Sequence, residues 1–179
     1  MGSYDASPFL AGAIEYLYGP DAPDVCSACG YAWSTDAATA LARIAATPAA
    51  CAALLAGHDG MAAPADGSWN ATSYLWHLTD IARGWSERWV LLASSPGCGF
   101  ASWDPDQLAL ARNYRNLPTV SALWALPTAV EAFVGLSQSL DMGAQFAHAQ
   151  WGTGTVGDAL RWTAHEFVHH TGDVAARVA

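Results

Sequence analysis

The amino-acid sequence predicts an all-α protein, a four-helix bundle preceded by an irregular N-terminal arm. Long segments place apolar residues at the three- and four-residue spacing of amphipathic helices, and short loops connect them. No segment alternates polar and apolar residues over a length that would predict a strand. The 179 residues suffice for one domain with a sizeable core. We therefore divide the chain into an arm, residues 1–33, and a bundle domain, residues 34–179.

The first two long helices follow the arm directly. Residues 34–57 form the first, with Ser34 and Thr35 as candidate caps and Pro48 as a predicted kink or break. The second is predicted within WNATSYLWHLTDIARGWSERWVLLASS, where an apolar stripe recurs at helical spacing. His77 falls at the edge of that stripe, where a pocket wall would lie.

Two more long helices complete the bundle. QLALARNYRNL predicts a short helix before the third long one, LPTVSALWALPTAVEAFVGLSQSLD, in which Pro127 predicts a kink. The fourth begins near Thr155, where T-x-x-D with Asp158 resembles a capping box, and it runs almost to the last residue.

Charge and composition exclude several classes of function. The formal net charge is −9 and the few basic residues are scattered, so the surface repels phosphate backbones and no nucleic-acid partner is expected. No uninterrupted apolar run approaches the length that spans a bilayer, so no membrane partner is expected either. The first residues lack a basic segment and include Asp5, which argues against a secretory signal and favours a cytoplasmic protein.

The four cysteines include one close pair, Cys26 and Cys29, in the arm. A C-x-x-C is half of a zinc knuckle, but no second C-x-x-C completes it. Two interpretations stay open for the pair, a structural or metal-binding role and plain reduced thiols. Cys51 is most simply a small buried residue on the first helix.

The last helix carries HEFVHH, in which His165 and His169 lie one turn apart on one face. Their face is distinct from the apolar stripe that must pack into the core. A solvated histidine pair and a metal site are both compatible with this spacing. Trp162, one turn before His165, favours the metal site because an indole is seldom left in water beside a purely polar face.

H-E-x-x-H is also the helical zinc motif of metalloproteases. Only ten residues follow His169, with Asp173 as their one acidic residue, and no strand is predicted, so a protease is disfavoured. A third ligand is better sought on another helix, and His77 is the strongest candidate, with Asp80 one turn on as its supporting carboxylate. His58 and His148 are assigned to loops, where histidines are more often exposed.

W-N-A-T-S-Y-L-W-H-L-T-D at 69–80 and H-E-F-V-H-H-T-G-D-V at 165–174 resemble the DinB/YfiT-like superfamily of metal-binding four-helix bundles. The C-x-x-C-G-aromatic arm is similar to that of actinobacterial members. The resemblance implies that His77, His165 and His169 hold a divalent metal, with zinc expected and nickel, manganese or iron as alternatives. Thr171-Gly172 departs from the usual bulky aliphatic residues, and Gly172 would either weaken the helix or open space beside the metal.

The resemblance implies a metal-dependent small-molecule enzyme that transfers a low-molecular-weight thiol, such as mycothiol, to an electrophile. In this hypothesis Glu166 or Asp80 orients a ligand or relays a proton, Arg88 or Arg161 binds a substrate carboxylate, and Trp162 lines the pocket. One alternative is a hydrolase in which the metal activates water. Another is a non-catalytic protein that binds or sequesters a small molecule. Exposed helix faces would also allow a homodimer.

Overall fold

A computed structural model describes residues 24–65 and 67–179 of the chain. Most of the predicted arm, residues 1–23, lies outside the described residues. Within the described part of the chain, five α-helices follow one another, and a short 3-10 turn at Tyr114–Asn116 lies between the third and the fourth. The helices are α1 Ala37–Leu54, α2 Ala71–Ser94, α3 Pro105–Ala111, α4 Thr119–Gln138 and α5 Val156–Val178.

The four long helices form the predicted bundle. α2 packs against α4 and α5, and α1 packs against the same two helices, so that all four surround one core. The centre of this core holds large, fully buried side chains, among them Leu78, Trp89, Phe133 and Phe167. The first half of α2 is buried on nearly every side, which places His77 inside the molecule.

The N-caps of the helices agree only in part with those predicted from the sequence. The capping box of α5 is confirmed, because the Thr155 hydroxyl accepts from the Asp158 amide while the Asp158 carboxylate accepts from the Thr155 amide. The caps predicted for α1 are wrong. Asp36 caps it instead, accepting from the Thr39 amide at 2.9 Å, whereas Thr35 donates its hydroxyl to the Ala32 carbonyl.

A small sheet was not predicted. Its strands are β1 Gly99–Phe100, β2 Gln145–His148 and β3 Gly152–Thr155, with β1 parallel and β3 antiparallel to β2. Strands of two to four residues are too short to show a sequence alternation, although β2 does alternate exposed and buried positions. The β2–β3 hairpin buries His148 beside Trp85 and Trp151.

The last part of the arm packs onto the bundle. Residues 24–33 fold back on themselves through a bridge between Val25 and Ala32. Tyr31 and Trp33 are both buried, and the Trp33 ring stacks on that of Trp162 at 6.0 Å. The arm sequence C-x-x-C-G is therefore held against α5.

Two helices, α1 and α4, are long and apolar enough to cross a membrane by length and composition alone. Both have a mean hydropathy of 1.4, which comes mainly from alanine in α1 and from valine and leucine in α4. An apolar helix of a soluble bundle passes the same test, and each of these helices packs against two others. The sequence expectation of no membrane partner stays a prediction.

Candidate metal centre

The last helix presents two overlapping pairs of ligand residues. His165 and His169 are four residues apart, and so are Glu166 and His170, shifted by one position. Because each residue turns the helix by about 100°, the two pairs face different neighbours. The first pair faces the arm, and the second faces α2.

The second pair meets His77 to form one candidate ligand group. The ligand atoms of His77, Glu166 and His170 all lie within 4.8 Å of one another. Oε2 of Glu166 is 3.8 Å from Nε2 of His77 and 3.4 Å from Nε2 of His170. Burial raises the pKa of Glu166, but hydrogen bonding to His165, His170 and His77 outweighs it and holds the pKa well below its usual range. The carboxylate is therefore ionised and available as a ligand.

His170 is oriented from its other side. Its Nδ1 lies 2.7 Å from Oδ2 of Asp173, and its ring stacks on Tyr74 with the centroids 5.3 Å apart. Burial lowers the pKa of His170, but Glu166 and then Asp173 raise it above the ordinary value. A carboxylate that accepts from one imidazole nitrogen and leaves the other free for a cation is the usual support of a metal-binding histidine. Asp173 thus supports a candidate ligand from behind.

The first pair meets the arm to form a second group. The ligand atoms of Cys26, Cys29, His165 and His169 also lie within 4.8 Å of one another. Burial raises the pKa of Cys26, but the Cys29 amide, His165, the Ala28 amide and His169 together lower it to about 6. Burial and the neighbouring Cys26 raise the pKa of Cys29. One thiol of the pair thus ionises readily.

A third set contains His169 from one group, His170 from the other, and Asp173. Among the described residues, then, His77 falls in a different group from His165 and His169. The three-histidine set implied by the resemblance stays a prediction, and the described geometry favours two groups in its place. Sequence reasoning set His170 aside because it lies one position round from His169. The signal that would have found it is E-x-x-x-H, which has the same one-turn spacing as H-x-x-x-H.

Two cavities adjoin the group of His77, Glu166 and His170. His170 lines a cavity of about 620 Å³ walled by Trp69, Tyr74 and Tyr114. On the other side, His77 and Glu166 line a narrower cleft of about 110 Å³. The larger cavity has the size of a small-molecule site.

The narrow cleft contains two of the residues predicted to bind substrate, Trp162 and Arg88. The Arg88 guanidinium lies over the rings of Trp85 and Trp103 at 4.7 and 4.3 Å from their centroids and donates to the Ala101 carbonyl. Burial lowers its pKa to about 10, which leaves it cationic at neutral pH. A cation at one end of the cleft suits an anionic ligand group.

Other predicted site residues are engaged elsewhere. The buried carboxylate of Asp80 accepts from Arg112 and from the Tyr114 hydroxyl and lies 3.6 Å from Arg83. Arg161 pairs with Asp158 at 2.6 Å and lines neither cavity beside the ligand group. Their proposed roles at the site stay predictions with no contact that supports them.

Two glycines within helices, Gly84 of α2 and Gly172 of α5, have different surroundings. The space beside Gly84 is filled, because a Cβ there would meet the Trp103 ring at 2.6 Å. Gly172 is exposed, and a Cβ there would meet no heavy atom within 4 Å. Gly172 lines neither cavity beside the ligand group, and the suggestion that it opens space beside the metal stays a prediction.

His148 is a cleft residue that sequence reasoning assigned to an exposed loop. It is buried in β2, where Trp151 stacks on it at 4.3 Å, and it lines the narrow cleft with His77 and Glu166. Burial and then Arg88 lower its pKa to about 4, so it is neutral at neutral pH. Its Nδ1 accepts from the Gln150 amide at 3.2 Å, which assigns the proton to Nε2. His58, in contrast, is exposed as expected.

Comparison with known proteins gives a match at the level of the fold. No protein-family model matches the chain, and no curated protein matches it. Among solved structures, it is similar to YfiT from Bacillus subtilis, described as "a probable metal-dependent hydrolase with an unusual four-helix bundle topology". The TM-score is 0.67 at 16% identity, over 79% of this chain and 86% of that one. The chain therefore has the YfiT-like four-helix-bundle fold that its sequence motifs predicted.

Proposed function

We propose that the chain is a metal-dependent small-molecule enzyme whose catalytic ion is held by His77, Glu166 and His170. The observation that carries this proposal is the convergence of two imidazoles and an ionised carboxylate within 4.8 Å beside two cavities. Two histidines and a glutamate are the ligand set of several catalytic zinc sites, which keep a further position open for substrate. The description of YfiT as a probable metal-dependent hydrolase supports metal dependence.

The donor set fits a divalent cation. Without one, Glu166 must satisfy several imidazoles at separations of 3.4 to 3.8 Å, longer than good hydrogen bonds. Asp173 fixes the His170 ring so that Nε2 is directed at Glu166. When bound, a divalent ion would lower the pKa of a coordinated thiol or water and polarise an electrophile.

The residues around the group provide binding and exclude water. Trp69 packs edge-on against His77 at 5.1 Å, and Tyr74 covers His170. The larger cavity would hold one reactant against these aromatic rings. In the narrow cleft, Arg88 would bind a carboxylate and neutral His148 would donate from Nε2 to a substrate oxygen.

We propose thiol transfer to an electrophile as the reaction, because two cavities that share one ligand group suit two reactants. Hydrolysis is the second candidate, favoured by the description of YfiT. Both need the same ligand group, and they differ in whether turnover requires a thiol.

The test is turnover by protein loaded with zinc, nickel, manganese or iron, against a panel of electrophiles and esters, with and without a low-molecular-weight thiol such as mycothiol. Glu166→Gln and His170→Ala should each lose at least about 100-fold in activity, whereas His58→Ala, an exposed histidine, serves as the matched control. Activity without added thiol would favour the hydrolase.

If a ligand binds tightly and is recovered unchanged, with no turnover under any condition, the enzyme proposal fails. The chain would then be a binding or sequestering protein of the kind left open by its sequence.

A further inference from the structure

We infer that Cys26, Cys29, His165 and His169 form a second metal site, a closed four-ligand zinc centre that fastens the arm to α5. This site is separate from the group of His77, Glu166 and His170, and the inference does not depend on the proposed enzymatic function.

The cysteines lie on a turn shaped to bring both sulfurs to one point. The Gly30 amide donates to the Cys26 carbonyl at 2.8 Å, and the Cys26 amide donates to the Tyr31 carbonyl at 2.8 Å. Gly30 directly follows Cys29 and has a φ of 70°, a left-handed conformation that favours glycine. This C-x-x-C-G turn holds the two sulfurs within 4.8 Å of each other, as a shared ligand ion requires.

The histidines supply the other half from consecutive turns of α5. His165 is 91% buried, its Nδ1 faces only the Glu166 carboxylate, at 3.4 Å, and its Nε2 has no hydrogen-bond partner of good geometry among the described residues. Nδ1 of His169 is likewise buried without one. Buried imidazole nitrogens that lack partners cost free energy unless something binds them. A cation bound by the four side chains would remove that cost.

The donor set selects the metal and its role. Two thiolates and two imidazoles, spaced C-x-x-C and H-x-x-x-H, make a Cys₂His₂ set, which binds zinc tetrahedrally. Ligand atoms around a tetrahedral zinc lie about 3.3–3.8 Å apart, so separations within 4.8 Å require only a small contraction. Two thiolate charges neutralise the ion. Because all four positions come from the protein, the site has a structural role and no open position for substrate.

Aromatic side chains cover the His165 side of the site, while Cys26, Cys29 and His169 are partly exposed. The Trp33 ring lies 4.5 Å from that of His165, and Tyr31 packs edge-on against the same imidazole at 5.7 Å. Oε1 of Glu166 lies 3.4 Å from Nδ1 of His165, so Glu166 stands between the two groups. It offers one oxygen to the substrate-facing group and the other to a histidine of the closed one.

The experiment is elemental analysis of the full chain, purified under reducing conditions, together with matched variants. We expect about two metal ions per chain in the wild type. Cys26→Ser/Cys29→Ser should lose one equivalent, and His77→Ala/His170→Ala should lose the other. Cys98→Ser, which removes a cysteine outside the ligand groups of the described residues, should lose neither. Cobalt substitution should give thiolate-to-cobalt charge-transfer absorption in the wild type and in His77→Ala/His170→Ala.

A second measurement avoids dependence on the folding of the variants. Titration of wild-type protein with a thiol-specific mercurial should release about one zinc equivalent into a chromophoric chelator. Metal content unchanged in Cys26→Ser/Cys29→Ser, or a mercurial titration that releases no zinc, would overturn the inference. Loss of metal only in His77→Ala/His170→Ala would overturn it as well, while supporting the proposed function. Loss of metal only in Cys26→Ser/Cys29→Ser would support this site and overturn the proposed function.

Discussion

Removal of the carboxylate behind His170 tests the assignment of that histidine as a ligand. Oδ2 of Asp173 lies 2.7 Å from Nδ1 of His170, and the Asp173 side chain is 33% exposed. A charge-assisted hydrogen bond contributes about 1.5–3 kcal/mol, and water will replace part of it in a site this exposed. Since about 1.4 kcal/mol corresponds to a factor of ten, Asp173→Ala should weaken metal binding by about 10-fold, the lower end of the range for such supporting residues.

A graded series sharpens this prediction. Asp173→Asn keeps a neutral acceptor, so it should weaken metal binding by only about 3-fold, because neutral hydrogen bonds are about half as strong. Affinity is measured by competition with a chromophoric chelator, for the metal equivalent that His77→Ala removes. Glu131→Ala, which removes an exposed carboxylate from α4, is the control and should bind metal like the wild type. Affinity in Asp173→Ala within 2-fold of wild type would refute the assignment of His170 as a ligand.

Three further substitutions test other parts of the structure. Asp158→Ala removes half of the capping box and should lower the free energy of unfolding by about 1 kcal/mol at pH 7. Burial raises the pKa of Asp158, but Thr155 and then Arg161 lower it below the ordinary 3.8. The stabilisation is therefore full above about pH 4 and declines as the pH falls further. A difference in free energy of unfolding between wild type and Asp158→Ala that stayed constant from about pH 3 to pH 7 would contradict this. Gly172→Ala should raise the free energy of unfolding by up to about 1 kcal/mol, because alanine favours the helix and the added Cβ meets open space. A lower free energy of unfolding in urea denaturation would contradict this. If His148 Nε2 donates to substrate, His148→Ala should lower kcat/KM by about 100-fold with metal content unchanged. Wild-type kinetics in this variant would show that His148 does not contact the substrate.

The sequence predicts the bundle well because its signals are local. Four long amphipathic patterns and the Thr155–Asp158 capping box depend on residues a few positions apart, and the structure confirms them. The cap of α1 was misplaced by one or two residues, since Ser34, Thr35 and Asp36 are all good capping residues in a row. Asp36 is the cap because its side chain accepts from the Thr39 amide, and this contact depends on the residue at which the helix begins.

The candidate site was harder to predict because it depends on how helices are rotated against one another. Periodicity shows that His165 and His169 share a face, but it does not show which neighbour covers that face. Sequence reasoning gave Glu166 a catalytic role and not a ligand role, and it set His170 aside because it lies one position round from His169. Burial of His148 depends on a hairpin too short for any sequence signal.

The two ligand groups are coupled through the geometry of a single helix. Positions 165 and 169 face the arm while 166 and 170 face α2, so a rotation of α5 that improved one group would disrupt the other. Fastening His165 and His169 to the C-x-x-C turn therefore fixes the angle at which Glu166 and His170 meet His77. In this arrangement the described part of the arm positions the ligands of the open site, although neither Cys26 nor Cys29 lines its cavities.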